Sequence, residues 1–177
     1  MTETDVHRVV QRSAIAALSS GELPARGLAP GVRALDLWRY RQYGSVLFFA
    51  EATSGLYPFG VVGLHCENAK RWPLIRGWVK TGGGGGGLHE PFDELVANDG
   101  PRGLRRLGSS SDPAVRLTMG WVSSDAGAIQ LTNRQATWLQ PVGVDGFVLL
   151  GTTADQPATH ATAVDHAHRP LGRSIVL

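Results

Sequence analysis

Two adjacent residues, His65 and Cys66, combine an imidazole base with a thiol nucleophile. We predict a strand over 59–67, and successive strand residues point to opposite faces of a sheet. The two side chains would therefore diverge, and we expect Cys66 to be a small buried hydrophobe. The alternative is a Cys66 nucleophile that uses a more distant histidine as its base.

A cluster of acidic side chains next to a histidine could hold a hard cation or form an acid/base pair. Its members are His89, Glu90, Asp93 and Glu94. The spacing differs from the His-Glu-x-x-His pattern of zinc proteases. Acidic residues near a helix start also stabilise the helix dipole, which is the interpretation that we favour.

Three of the six histidines lie near the end of the sequence, at His160, His166 and His168. On a strand, His166 and His168 would share a face and could bind a metal with Asp165 or His160 as a further ligand. We predict a turn here, in which these side chains face water. The sequence therefore predicts no metal, no cofactor and no catalytic residue.

Six consecutive glycines occupy 82–87. Backbone N–H groups without side chains can wrap an anion, but a phosphate-binding P-loop ends in Gly-Lys-Ser/Thr, and this tract runs into Leu88 and His89. Ordering six glycines also costs much backbone entropy. We favour a flexible hairpin or linker, with close backbone packing, partner contact or an anion nest as alternatives.

Aromatic and cationic side chains alternate along a strand that we predict over 72–80. Cation–π stacking is available on its even-numbered face, which carries Trp72, Arg76, Trp78 and Lys80. If exposed, this face could bind a partner; if covered, its tryptophans belong to the core. We place the recognition surface here, and a loop adds arginines to it, namely Arg102, Arg105, Arg106 and, just beyond, Arg116.

The elements that position these residues are one helix followed by many strands. Apolar residues recur at helical spacing up to Leu18, with Thr4 as N-cap and Gly21 as the stop. Strands are predicted at 33–41, 45–53, 59–67 and 72–80, and then at about 115–121, 127–132, 136–141, 146–151, 159–165 and 173–177. The segment 46–50 is apolar at both odd- and even-numbered positions, and therefore on both faces of a strand. This pattern predicts a central strand.

The strand at 115–121 has the clearest alternation. It predicts Val115, Leu117, Met119 and Trp121 inward and Arg116 and Thr118 outward. Turn signals recur at the short intervals of an all-β fold, at Ser124-Asp125, Asn133-Arg134, Asp145-Gly146 and 165–169. We therefore predict a mainly β fold, a sandwich or barrel-like arrangement of antiparallel meanders, with one N-terminal α-helix.

Four segments follow from these patterns. They are an N-terminal helix at 1–22, a β-meander at 32–81, a mobile Gly/Arg-rich loop region at 82–114 and a β-sandwich module at 115–177, which we expect to form one compact domain. Within the loop region, 99–114 is rich in arginine, glycine and serine and predicts a long loop.

Part of the sequence, about 115–172, resembles a small β-sandwich module of actinobacterial proteins. The matching residues are Gly120-Trp121-Val122, 128–131, 144–149, Ala163-Val164-Asp165 and 169–172. In that module a G-x-V strand is followed by a hairpin, a D-G-F-F strand and a closing A-x-D-x-x-G-R turn. His166-Ala167-His168 replaces the usual glycine turn. The resemblance implies a fold and a source but assigns no functional residue.

Composition narrows the functional classes. The 177 residues carry a net charge of +2 and one cysteine, so neither a polyanionic partner nor an internal disulfide is required. The first twenty residues lack the pattern of a signal peptide, so we expect a cytoplasmic protein without a membrane partner.

We predict a non-catalytic binding or protein–protein interaction module, with another copy of the chain as one candidate partner. One alternative is a small metal-dependent or hydrolytic enzyme that uses His89, Glu90 and Asp93 or the C-terminal histidines. The other is single-stranded nucleic-acid or glycan binding through Trp72 and Trp78.

Overall fold

The computed structural model describes residues 3–25, 31–50, 59–65, 78–81, 100, 102–111 and 114–177. The chain divides into two compact units, Met1–Pro91 and Phe92–Leu177. The boundary falls inside the predicted loop region, and the four-segment division stays a prediction. No helix in the described ranges is long and apolar enough to cross a membrane.

The N-terminal unit begins with helix α1, Glu3–Ser20. Its buried positions, Ala14, Ala17 and Leu18, follow the predicted helical spacing and pack on the first two strands of a sheet. The predicted stop at Gly21 is confirmed, because this residue has a φ of 79° and its N–H donates to Ala17 O at 2.8 Å. The helix starts at Glu3, so Thr4 lies inside it and is not its N-cap.

Four antiparallel strands form the sheet of this unit in chain order: β1 Val32–Tyr40, β2 Tyr43–Ala50, β3 Phe59–His65 and β4 Trp78–Thr81. The predicted meander is confirmed, although the first turn lies at Arg41 and not at Tyr43-Gly44. Strand β2 lies between β1 and β3, and Val46, Leu47 and Phe48 are all buried. An apolar run on both parities thus marks an interior strand, as predicted.

The C-terminal unit contains two open antiparallel sheets. Strands β5 Arg105–Ser111, β6 Val115–Trp121 and β9 Phe147–Thr153 form one, in the order β5-β6-β9. The other has the order β11-β10-β7-β8 and consists of β7 Ala128–Thr132, β8 Thr137–Pro141, β10 His160–Val164 and β11 Ile175–Val176. The prediction of a mainly β fold with one N-terminal helix is confirmed.

The two sheets of the C-terminal unit pack face to face as a sandwich. Val148 and Leu150 of β9 share one hydrophobic cluster with Ile129 of β7 and Ala161 of β10. At one side of the sandwich, Gln140 of β8 donates to the backbone oxygen of a β9 residue at 2.7 Å. The sheets are therefore joined by a polar bridge as well as by their apolar core.

Two predictions about this unit are wrong. Arg105–Ser111 forms β5, so the predicted loop over 99–114 does not hold for these residues. Thr118 was predicted to point outward, but it lies opposite Leu150 in the ladder and is buried in the sandwich. The residues predicted to face inward, such as Leu117 and Trp121, lie on the other face of β6 and are buried as well.

Candidate functional site

The β5–β6 hairpin places four polar side chains on one face of its sheet. Residues directly opposite in an antiparallel ladder share a face. Ser109 lies opposite Thr118, and Arg106 lies opposite Gly120, two positions along β6 from Thr118. Arg116 is also two positions from Thr118. All four side chains therefore belong to the face that looks toward the second sheet.

A β-bulge makes this arrangement possible. Arg106 and Ser109 are three positions apart, and in a regular strand they would point to opposite faces. The pairing register shifts between Arg106 and Gly108, with Leu107 as the extra residue. The bulge turns Arg106 onto the face of Ser109, and bulges commonly re-aim a side chain in this way.

These side chains line an open cavity of about 330 Å³, which we call the arginine cleft. It is lined by Arg106, Ser109, Arg116, Thr118, Val176 and Leu177. The polar residues come from β5 and β6, and the apolar wall comes from β11 and the residue that follows it. The cleft therefore lies where the two sheets of the sandwich meet along their β5 and β11 sides.

Both arginines bridge the sheets through backbone oxygens. Arg106 Nη2 donates to Val176 O, and Arg116 Nη1 donates to Leu177 O at 3.0 Å. Leu177 N donates to Thr159 O in the ladder between β10 and β11, so the alternate residue Val176 directs its own carbonyl away from β10. The sheet edge thus presents the oxygen of Val176 to the Arg106 guanidinium.

The cleft is rich in unused hydrogen-bond donors. A guanidinium has five N–H groups, and each arginine uses one of them in the bond just described. Among the residues that the structure describes, neither Arg106 nor Arg116 pairs with an aspartate or glutamate side chain. The hydroxyls of Ser109 and Thr118 likewise have no partner among these residues. Positive charge and donors converge here, and no acidic side chain lines the cleft in the described part of the chain.

The arginines predicted as a basic surface lie on different faces of the C-terminal unit. Arg105 lies opposite Trp121, on the face of β5 that points away from the arginine cleft. Arg102 is exposed in the bend before β5. Of the predicted loop arginines, only Arg106 joins Arg116, because strand alternation separates it from Arg105.

The predicted recognition strand is described only in part. Trp78 and Lys80 lie in β4, opposite Gly63 and Val61 of β3, at an edge of the described sheet. Trp72 and Arg76 lie outside the described residues. The binding role of this strand, including nucleic-acid or glycan binding, stays a prediction.

The histidine candidates are separated along the fold. His160 begins β10, whereas His166 and His168 are exposed in the turn after that strand, as predicted. The described ranges contain no group of three or more His, Cys, Asp or Glu side chains that could hold a metal. His65 ends β3, while Cys66 and the cluster at 89–94 lie outside the described residues.

Sequence reasoning missed Ser109 and Thr118. Ser109 lies in a segment whose arginine, glycine and serine content predicts a loop. The side chain of Thr118 is predicted to point outward into solvent. Arg116, Thr118 and Gly120 alternate along β6 and therefore share one face of the strand, which carries no apolar side chain. This pattern is the sequence signal that could have identified the face. The β-bulge that brings Arg106 to this face cannot be recognised from the amino-acid composition.

Comparison with known proteins adds no relative. No protein-family model, curated protein or solved structure matches this chain. A function for the arginine cleft therefore depends on its geometry and chemistry.

Proposed function

We propose that the protein is a non-catalytic binding module whose arginine cleft holds an acidic group of a protein partner. The observation that carries this proposal is the pair of exposed guanidiniums, Arg106 and Arg116, which face one cavity and have no aspartate or glutamate side chain as a partner among the described residues. Guanidinium groups form strong, directional hydrogen bonds with carboxylates and other oxyanions.

The chemistry of the lining favours binding. Its polar side chains are two guanidiniums and two hydroxyls. A guanidinium stays protonated at all ordinary pH values, so it attracts an anion without exchanging protons. Acid/base catalysis most often uses His, Asp or Glu side chains, and none of these is among the described residues that line the cleft.

The location also suits a protein partner. Arginine is among the residue types that most often dominate interface energy, particularly where apolar contacts surround it. Val176 is 65% exposed beside the guanidinium groups and offers such a contact. An acidic side chain that enters the cleft would thus meet charge at its tip and an apolar wall along its stem.

The test uses a fluorescently labelled hexaglutamate peptide as an acidic probe. Binding is followed by fluorescence anisotropy at low ionic strength, where charge attraction is least screened. The Arg106→Gln/Arg116→Gln double variant should bind about tenfold or more weakly, because two charge-assisted contacts are lost.

The matched control is Arg12→Gln/Arg134→Gln. It removes the same charge from two exposed arginines, one on α1 and one in the turn after β7. This variant should bind the peptide nearly as well as the wild type. Equal losses in the two double variants would mean that the probe responds to overall charge, and the proposed function would be wrong.

A further inference from the structure

The hydroxyl of Thr118 is buried in the arginine cleft at a position that suits a ligand-binding group. Thr118 is only 2% exposed, yet it lines the cavity. Its hydroxyl has no hydrogen-bond partner in the part of the chain that the structure describes. A buried hydroxyl without a partner destabilises the fold, so a bound group that accepts its hydrogen bond would remove that cost.

The surroundings of Thr118 would accept an apolar residue of the same shape. It lies opposite Leu150, a member of the sandwich core, in the middle strand of its sheet. Valine matches threonine in volume and suits a strand better than a residue with an unsatisfied hydroxyl. Packing therefore gives no reason for a hydroxyl here, whereas a ligand would.

Ser109 supplies a second hydroxyl directly across the ladder. Opposite residues in antiparallel strands have Cβ atoms about 5 Å apart, so both hydroxyls can reach one small group between them. Arg106 and Arg116 flank this pair on the same face, one toward each end of the hairpin. Four donor side chains thus face the cleft from one hairpin.

Resting on the proposed function, we infer that the acidic group held in the arginine cleft is a phosphate. A phosphate monoester presents three strongly accepting oxygens in a tetrahedral arrangement and carries more charge than a carboxylate. A carboxylate offers two oxygens in one plane, which two guanidiniums alone would satisfy. The two hydroxyls, one of them buried, are then left for the additional oxygen.

The volume of the cleft indicates that the phosphate is attached to something. The cavity measures about 330 Å³, near the lower end of the range of small-ligand sites. A phosphate group fills only part of this space, and Val176 and Leu177 form an apolar wall for the remainder. The two sources to distinguish are free inorganic phosphate and a phosphorylated side chain of the partner.

The probes are inorganic phosphate, a capped Gly-phosphoserine-Gly peptide and the same peptide with glutamate. Isothermal titration calorimetry on the full chain should show the phosphopeptide binding about tenfold more tightly than the glutamate peptide. Inorganic phosphate that competes at equal affinity would identify the free anion as the source. Weaker competition would identify the phosphorylated side chain.

The decisive variant is Thr118→Val, with Thr118→Ser as its conservative partner. Thr118→Val should bind the phosphopeptide about tenfold more weakly and melt no earlier than the wild type, because an unsatisfied hydroxyl is replaced by a methyl group. Thr118→Ser should keep phosphopeptide binding. Thr137→Val makes the same change at an exposed position of β8 and should alter neither quantity.

Failure of this inference can be separated from failure of the proposed function. If Thr118→Val binds the phosphopeptide as the wild type does, or if the glutamate peptide binds equally well, the phosphate assignment is wrong. Binding of hexaglutamate that depends on the two arginines would still support the binding module. If neither hexaglutamate nor the phosphopeptide binds, both proposals are wrong.

Discussion

Asp165 binds Arg169 through both of its carboxylate oxygens. Oδ1 accepts the backbone N–H of Arg169 at 2.9 Å, and Oδ2 accepts Nε at 2.8 Å and Nη2 at 2.7 Å. Oδ1 also accepts the N–H of Ala167 at 2.8 Å. One carboxylate thus closes the turn that follows β10 and holds its left-handed residue, His168, which has a φ of 61°.

The first prediction concerns the pH dependence of this turn. The backbone N–H of Arg169, and next its side chain, hold the pKa of Asp165 below its usual value. The carboxylate therefore stabilises the folded state above the usual pKa of an aspartate, and this contribution is lost as the pH falls through the lowered pKa. Asp165→Asn should lower the urea midpoint at neutral pH, and the difference from the wild type should shrink in acid.

The control for this variant is Asp145→Asn, which makes the same change of charge at another turn. Asp145 has a φ of 54°, a conformation that asparagine also adopts readily. Its urea midpoint should stay close to that of the wild type. A constant difference between Asp165→Asn and the wild type down to strongly acidic pH would contradict the proposed role of the carboxylate.

The second prediction concerns the turn before β9. Gly146 has a φ of 78°, and a Cβ there would lie 2.3 Å from the backbone oxygen of Val122. Gly146→Ala should cost at least about 2 kcal/mol of unfolding free energy, because it adds left-handed strain to a backbone clash. Gly103→Ala, whose added Cβ would meet its nearest neighbour at 3.5 Å, should cost much less in the same denaturation experiment.

The third prediction separates the two roles of Trp121. This residue stacks on Phe147 with ring centroids 6.0 Å apart, and its Nε1 donates to Asp145 O at 3.3 Å. Trp121→Ala should cost about 3–5 kcal/mol, as expected for a large buried ring. Trp121→Phe keeps the aromatic contact and should cost about 1 kcal/mol for the lost hydrogen bond and the reduced volume. Equal losses in the two variants would show that the stacking contributes nothing.

The fourth prediction tests the end of helix α1. Gly21 adopts a left-handed conformation, and Arg39 of β1 donates to Leu18 O at 2.9 Å in the last turn. Gly21→Ala should destabilise the N-terminal unit by about 1 kcal/mol, because alanine tolerates a positive φ poorly. Glu22→Ala, one residue later and exposed, should leave the thermal melting curve unchanged.

Elements whose residue types indicate which positions are buried could be predicted from the sequence. Val46, Leu47 and Phe48 are apolar on both parities, and β2 is an interior strand with these side chains buried. The end of α1 could be predicted from Gly21, because glycine avoids the steric cost of the positive φ that often closes a helix. In both cases the local residue types determine the outcome.

Strand β5 could not be predicted, because its stability comes from its neighbours. Arg105–Ser111 contains none of the β-branched or aromatic residues that favour strands. It is held by pairing with β6 and by the bond from Arg106 to Val176, which is 70 positions away in sequence. The arginine cleft depends on this strand and on its bulge. The residues that line the cleft could therefore not be predicted from the sequence either.

The bonds from Arg106 to β11 and from Arg116 to the residue after it also bear on self-association. An exposed sheet edge is a template on which a strand of another molecule can add, which is a common start of aggregation. Strand β11 has two residues, and the oxygens of Val176 and Leu177 are already engaged by guanidinium groups. An incoming strand would have to displace two cations to gain these acceptors. The two arginines therefore protect this edge of the sandwich against the addition of strands from other molecules.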